Sequence, residues 1–248
     1  MSGSIILKIS VIATTLLTLI INFLAIALPI NERTTASISD SFYVYFKPAG
    51  YVFGIWALIY ILLIGYTIKQ ISLNYPKSDK IRFLATVCNI LNSLWILAWH
   101  YLRFDLSALL MIGLLLTLSI TYIEMKNITF TNILSSIFLK QFFGVYLAWI
   151  SVATIANITI YLDYIRWDNL NLSSLTWGII MILISAVLAS VVYLQEKDIW
   201  FGAVIIWALV GIHVNFRQIA EINFVVLLGI CVIIASVLYK SILTKIFR

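Results

Sequence analysis

Apolar residues along the chain gather into eight runs separated by short polar segments, at roughly 7–30, 50–70, 82–102, 107–124, 142–162, 174–194, 199–214 and 221–243. Most are long enough to cross about 30 Å of hydrocarbon at about 1.5 Å per helical residue. None alternates at period two along its length, so a β-barrel is not predicted. Lipid cannot satisfy an exposed backbone, and helix is the remaining way to span it. The seventh run is short and needs flanking residues, an upright setting or a re-entrant path. The stretch 127–140 is too polar to span alone, and is expected at the interface or as an inward extension of the fifth span. The prediction is therefore an all-α polytopic membrane protein of about eight transmembrane helices.

Composition strengthens that reading. Of 248 residues 63% are hydrophobic and 10% charged, with a mean hydropathy of +1.08, whereas soluble domains carry about 25% charged residues. The first run is longer than a signal-peptide core and reads as a retained span. Cys88 and Cys231 both sit in apolar runs and build neither a disulfide framework nor a metal motif. The net charge of +6 comes from residues scattered through short loops, without a basic stripe, so no nucleic-acid partner is expected; the partner is the lipid bilayer.

With eight crossings both termini share a side. Lys8, Lys69, Lys77, Lys80, Arg82, Lys126, Lys140, Lys197, Lys240, Lys245 and Arg248 fall on it, against Arg33, Lys47, Arg103, Arg166 and Arg217 opposite. The excess of basic residues places both termini in the cytoplasm. The longest outer connection, Asn31 to Gly50, carries the aromatic cluster Phe42, Tyr43, Tyr45 and Phe46. It serves either as a functional loop or as an anchor in the headgroup belt.

Charge is nearly absent from the middle of the spans, which argues against carboxylate-based pumping and against a cation pore. Tryptophan, tyrosine and asparagine stand there instead. Phe53, Trp56 and Tyr60 share one face of the second span. Asn89, Asn92, Trp95 and Trp99 share a face of the third, and Tyr146, Trp149, Ala153 and Asn157 a face of the fifth. Such stripes either glue helices through amide hydrogen bonds or line a cavity for a flat apolar ligand. Trp56, Trp95, Trp99 and Asn157 are expected at overlapping depths in the outer half of the bundle, beneath Pro29 and Lys47-Pro48, with Trp149 as a floor. Gly50 and Gly54 are spaced for close helix approach.

These residues carry a resemblance. Lys47-Pro48, then Val52-Phe53-Gly54, Trp56 and Leu58-Ile59-Tyr60, resemble the Lys-Pro and Phe-Gly-x-x-Trp-x-x-Leu-Tyr region of the tryptophan-rich sensory protein family, also called TspO, translocator protein or peripheral-type benzodiazepine receptor. Leu91-Asn92-Ser93-Leu94-Trp95 is similar to its Leu-Asn-x-x-Trp motif. Tyr146-Leu147-Ala148-Trp149 through Ala153 to Asn157 is similar to its fifth-helix motif. The resemblance covers about residues 5–162, a five-helix unit. It implies a division into residues 1–162, a TspO-like five-helix transmembrane unit, and residues 163–248, a three-helix C-terminal extension. It also implies that Trp56, Trp95, Trp149, Ala153 and Asn157 border a pocket for porphyrins and related tetrapyrroles, a haem-like one included, and that Lys47 and Pro48 belong to its lid. Together with the stripes, the candidate ligand-binding set is Trp56, Tyr60, Asn92, Trp95, Trp99, Tyr146, Trp149, Ala153 and Asn157. The chain departs from the family where paired prolines give way to Ala49-Gly50-Tyr51, and where Val145 replaces the proline before Tyr146.

No nucleophile, base and orienting group stand at catalytic spacing, and no metal-ligand pattern is present, so no enzyme activity and no required cofactor are predicted. His100 and His213 are both expected near the outer surface and could bracket a haem iron, although a satisfied or solvent-facing histidine is commoner at a helix end. The expected function is a receptor or sensor for a planar apolar ligand. The alternatives are a small-molecule permease, for which no inverted repeat is found, and a structural membrane protein without a ligand. Ala186-x-x-x-Ser190 allows close packing within one chain or across a homodimer.

Overall fold

The computed structural model describes residues 2–28, 30–75, 77–126, 128–130 and 132–246. Pro29, Asn127 and Arg248, and the side chain of Lys245, lie outside the described residues. Those described form helices and connecting turns, with no strand among them: α1 (Ser2–Ala27), α2 (Thr35–Asp40), α3 (Ile55–Lys69), α4 (Ser78–His100), α5 (Phe104–Lys126), α6 (Ile133–Ser135), α7 (Phe142–Tyr164), α8 (Ser174–Glu196), α9 (Ile199–Asn215) and α10 (Ala220–Ile246). Seven helical stretches are long and apolar enough to cross a membrane. The chain is an all-α polytopic membrane protein.

The helix limits have local causes. The Ser173 hydroxyl accepts from Thr176 N at the start of α8, and the Asp198 carboxylate from Trp200 N and Phe201 N at the start of α9, each satisfying N–H groups that no intrahelical carbonyl can reach. Lys197 closes α8 in the left-handed region, at φ 56, so two residues suffice to turn the chain into α9. With both ends fixed, α9 has 17 residues and is about 25 Å long, the short seventh span of the sequence pattern. The 127–140 stretch resolves in the opposite sense. α6 and a π-helical turn at Ser136–Gln141 run into α7, giving one span of 32 residues. At about 48 Å it exceeds the hydrocarbon, and its surplus lies at the N-terminal end, where Lys140 Nζ donates to Lys126 O at 3.2 Å.

The chain divides into two compact units, Met1–Ser41 with Gly54–Ile150, and Phe42–Phe53 with Ser151–Arg248. In the first unit α4 packs on α1 and α5, and α1 also meets α3. The burial pattern of α1 is inverted relative to a soluble helix. Thr15, Thr18 and Asn22 are buried while Ile5, Ile6, Ile9, Leu16, Leu17, Ile20 and Phe23 are exposed. In water that arrangement would be unstable, but against lipid tails the apolar face loses nothing and the polar face finds partners inside.

Those partners form a ladder of uncharged groups along the α1–α4 seam. Asn89 Nδ2 donates to Thr14 Oγ1 at 3.2 Å and Thr15 Oγ1 at 3.0 Å, and Thr15 in turn meets Thr67 of α3 at 2.9 Å. Higher up, Thr18 Oγ1 bonds Asn89 O and Ser93 Oγ, and Asn22 Nδ2 donates to Asn92 Oδ1 at 2.9 Å. Intramembrane hydrogen bonds contribute about 0.6 kcal/mol each on average, so the ladder is worth a few kcal/mol in all.

In the second unit α8, α9 and α10 pack on one another, and the 42–53 segment lies on α9. Ala49 N donates to Gly211 O at 3.0 Å, Trp207 Nε1 to Val52 O at 3.2 Å and Asn215 Nδ2 to Lys47 O at 3.0 Å. Close approach depends on Gly211, where an added Cβ would overlap Val52 and press on Pro48, and on Gly178, where it would overlap Tyr45. Ala186 packs within the chain, against Gly229 of α10. The expectation that Gly50 and Gly54 seat a neighbouring helix is corrected: Gly50 is exposed and Gly54 has open space where its side chain would be. Both belong to a 3-10 turn, Gly50–Gly54, with about three residues per turn, so positions four apart do not share a face. The glycine that admits a neighbour in this span is Gly65, whose missing side chain is replaced by the Phe138 ring.

Candidate functional site

Three helices of the first unit bring the sequence stripes together. On α3 Trp56 is buried and Tyr60 half-buried; on α4 Trp95 and Trp99 are buried; on α7 Tyr146 and Trp149 are buried. Trp56 is the hub. Its ring stacks on Tyr60 at 5.6 Å and on Trp95 at 5.8 Å, and meets Tyr146 and Trp149 edge-on at 6.2 Å. Trp95 stacks on Trp99 at 6.3 Å, which meets Phe104 edge-on at 5.4 Å. Stacked and edge-on pairs at these separations contribute about 0.5–1.5 kcal/mol each beyond area burial.

The column continues inward through residues that the stripes did not include. Tyr146 stacks on Phe142 at 5.7 Å, Phe142 on Tyr66 at 5.6 Å, and Tyr66 meets Phe143 at 5.0 Å. A signal for Phe142 was present, since it lies one helical turn before Tyr146. Tyr66 lies six residues beyond Tyr60, off the three-and-four step, and could not be tied to the stripe in this way. Thr15, Thr18 and Asn22 also escaped notice, although their steps of three and four mark one face of α1.

The two roles that the stripes allowed are divided between residue types. On α4 the amides and hydroxyls turn to α1 and form the ladder, while Trp95 turns to Trp56 of α3 and Trp99 to Phe104 of α5, and these rings form the column. Asn92 belongs to both. Its Oδ1 accepts from Asn22, it is fully buried, and its Nδ2 completes no hydrogen bond. Trp95 Nε1 is likewise buried without a hydrogen-bond partner. An N–H left unpaired in an apolar interior costs about 1–3 kcal/mol, so an acceptor brought to this place would be bound favourably.

Above the column, Trp99 Nε1 donates to Thr35 O at 3.3 Å, and Asn31 Nδ2 to His100 O at 3.0 Å. His100 is buried, with Nδ1 at 3.0 Å from Ile30 O and Nε2 at 3.1 Å from Thr35 Oγ1. Since a carbonyl only accepts, Nδ1 donates to Ile30 O, and Nε2 is engaged with the Thr35 hydroxyl. Neither nitrogen is left for an iron ion, and no cluster of metal-binding side chains occurs among the described residues.

Ala153 and Asn157 lie on α7 past Ile150, where the second unit begins; Asn157 is buried and Ala153 half-buried. Lys47 and Pro48 are also in that unit, and both are buried. Lys47 Nζ donates to Phe42 O at 2.8 Å, and its own carbonyl takes Asn215. The loop aromatics do more than rest in headgroups: Phe46 is buried and Tyr45 packs on Phe216 at 5.4 Å, while Tyr43 is exposed. A hydrogen bond with the Tyr43 hydroxyl, with some desolvation, raises the Tyr45 phenol above its usual range.

A family model described as TSPO-like protein matches residues 8–239 and so takes in the last three helices as well. No curated protein and no solved structure matches the chain.

Proposed function

From the premise that the chain belongs to the TSPO-like protein family, we propose that it is a membrane receptor or sensor for a planar, largely apolar ligand such as a porphyrin or related tetrapyrrole, held among Trp56, Tyr60, Asn92, Trp95, Trp99, Tyr146 and Trp149. Ala153, Asn157, Lys47 and Pro48, which the family resemblance also implies, lie in the second unit. The observation that carries the proposal is the unpaired Trp95 Nε1, buried within a stack of rings. A conjugated ligand replaces one ring-on-ring contact by another of the same kind, and a carbonyl or carboxylate on its edge takes the orphan donor. The ring-on-ring contact that must part, Trp56 on Trp95, is worth only about 1 kcal/mol, which a ligand face recovers.

The test is a titration of the detergent-purified full chain with protoporphyrin, followed by quenching of intrinsic tryptophan fluorescence. Trp56→Leu and Trp149→Leu remove ring faces, while Trp95→Phe keeps a smaller aromatic face and deletes the N–H. The expected result is weaker binding in all three. For Trp95→Phe the loss is about three- to tenfold, the equivalent of one net hydrogen bond of about 0.5–1.5 kcal/mol. Affinity unchanged in the two leucine variants would overturn the proposal. Sealed vesicles separate receptor from permease: saturable binding without flux supports the receptor, and protein-dependent flux of the porphyrin supports the permease.

A further inference from the structure

The first unit holds a polar cavity, of opposite character to the aromatic column and at the end where α1 begins. Its volume is about 510 Å³, and its polar lining includes Ser4 and Lys8 of α1, Ser72 and Asn74 of the α3–α4 turn, and Asp79 and Arg82 of α4. Arg82 is only 2% exposed. Its Nε donates to Gln70 Oε1 at 3.0 Å, one terminal nitrogen donates to Gln70 O and Leu73 O, and the other to Asp79 Oδ1 at 2.7 Å. Three of these partners are neutral dipoles, and Asp79, half exposed, is the only counter-charge among them.

The charges on the cavity wall are therefore Lys8 and Arg82 against Asp79, one net positive charge. Nearby, Lys77 and Lys80 share the single carboxylate of Glu124, at 2.6 and 2.7 Å, so this cluster adds a further net positive charge at the same end. α4 also starts here without a side-chain cap, and its positive dipole end faces the same region. The depth is informative as well. Lys8 is the last charge before the apolar run of α1, and Lys69 the first after that of α3, which sets the cavity at the boundary of the hydrocarbon, where lipid phosphates lie.

We propose that this cavity binds a phosphate-bearing group, either the headgroup phosphate of an anionic lipid or the same group on a soluble ester. Lys8 supplies the direct ion pair, Arg82 the fixed positive potential behind it, and Ser4, Ser72 and Asn74 hydrogen bonds to the remaining oxygens. Arg82 also clamps the α3–α4 turn through Gln70 and Leu73, so ligand and turn stabilise each other. The site is independent of the aromatic column.

Native mass spectrometry of the detergent-purified full chain tests this, comparing phosphatidylglycerol with phosphatidylcholine of the same acyl chains, with and without glycerol phosphate as competitor. Arg82→Gln is not the variant of choice, since it would loosen the turn. Lys8→Gln removes the ion pair, Asn74→Trp fills the cavity without changing charge, and Lys69→Gln removes a cation at the same end but outside the lining. The expected result is retention of phosphatidylglycerol over phosphatidylcholine. Binding falls about fivefold in Lys8→Gln, the equivalent of ~1 kcal/mol per interfacial cation, is lost in Asn74→Trp, and changes less than twofold in Lys69→Gln. Competition by glycerol phosphate assigns the site to phosphate esters in general, and its absence to lipid-borne phosphate. Equal retention of the two lipids, or equal losses in Lys8→Gln and Lys69→Gln, would overturn the proposal in favour of diffuse attraction to the basic end.

Discussion

Replacing Asn89 by leucine deletes two hydrogen bonds between α4 and α1, those to Thr14 and Thr15 at 3.2 and 3.0 Å, while keeping the branched skeleton of four side-chain heavy atoms. The hydroxyls left behind are not orphaned: Thr14 retains Ser10 O of its own helix at 2.8 Å, and Thr15 retains Thr67 at 2.9 Å. The loss is then that of the bonds themselves, about 0.6 kcal/mol each on average and up to about 1.7, giving a destabilisation of roughly 1–2 kcal/mol. Reversible unfolding in mixed micelles of increasing SDS fraction measures it, with tryptophan emission as the signal because the stacked indoles lose their environment on unfolding. Ser119→Ala is the control, since that hydroxyl bonds only Leu115 O within its own helix and should shift stability by less than about 0.5 kcal/mol. If Asn89→Leu unfolds at the wild-type SDS fraction, the amide ladder is not what holds α1 to α4, and the division of labour between amides and indoles fails with it.

Two further predictions use the same assay or a simple relative of it. Gly65→Ala should destabilise by about 1–3 kcal/mol, because the new methyl overlaps the Phe138 ring and the π-helical turn must shift; Gly54→Ala, at an open position with φ −56, should be neutral or stabilising by up to about 1 kcal/mol, and the reverse order would refute the packing argument. Trp207→Phe keeps a ring against Tyr51, 5.3 Å away in the native pair, but deletes the bond to Val52 O, so limited proteolysis within 42–49 should accelerate while the unfolding midpoint of the first unit stays put.

Much of this architecture was legible along the chain because a bilayer reduces the problem to lengths and periods. The expected 82–102, 107–124 and 174–194 correspond to α4, α5 and α8 within four residues, since apolar length and terminal charge mark the same limits from two directions. The coming together of Trp56, Trp95 and Trp149 was expected from helical spacing combined with the direction and depth of each span. Which stripe residue does which work did not, because an amide and an indole on one helical face point to different neighbours, and that depends on how α1 is rotated. The polar face of α1 was present as Thr15, Thr18 and Asn22, hidden within one of the most apolar runs. Nothing local links Ala49 to Gly211, and the grouping of 42–53 with the second unit rests on such distant pairs.

That grouping has a consequence for synthesis. The hydrogen-bond partner of Val52 O stands 155 residues further along the chain. At about 5–20 residues per second of translation, roughly 8–30 s pass between the emergence of the loop and that of the helix on which it docks. Throughout that interval the first unit can assemble its ladder and its column, while the segment carrying Lys47 and Pro48 still lacks the helix on which it docks. A nascent chain arrested before α9 would hold a complete first unit and an undocked 42–53 segment, which makes arrested chains a natural preparation in which to follow the loop's docking as a separate event.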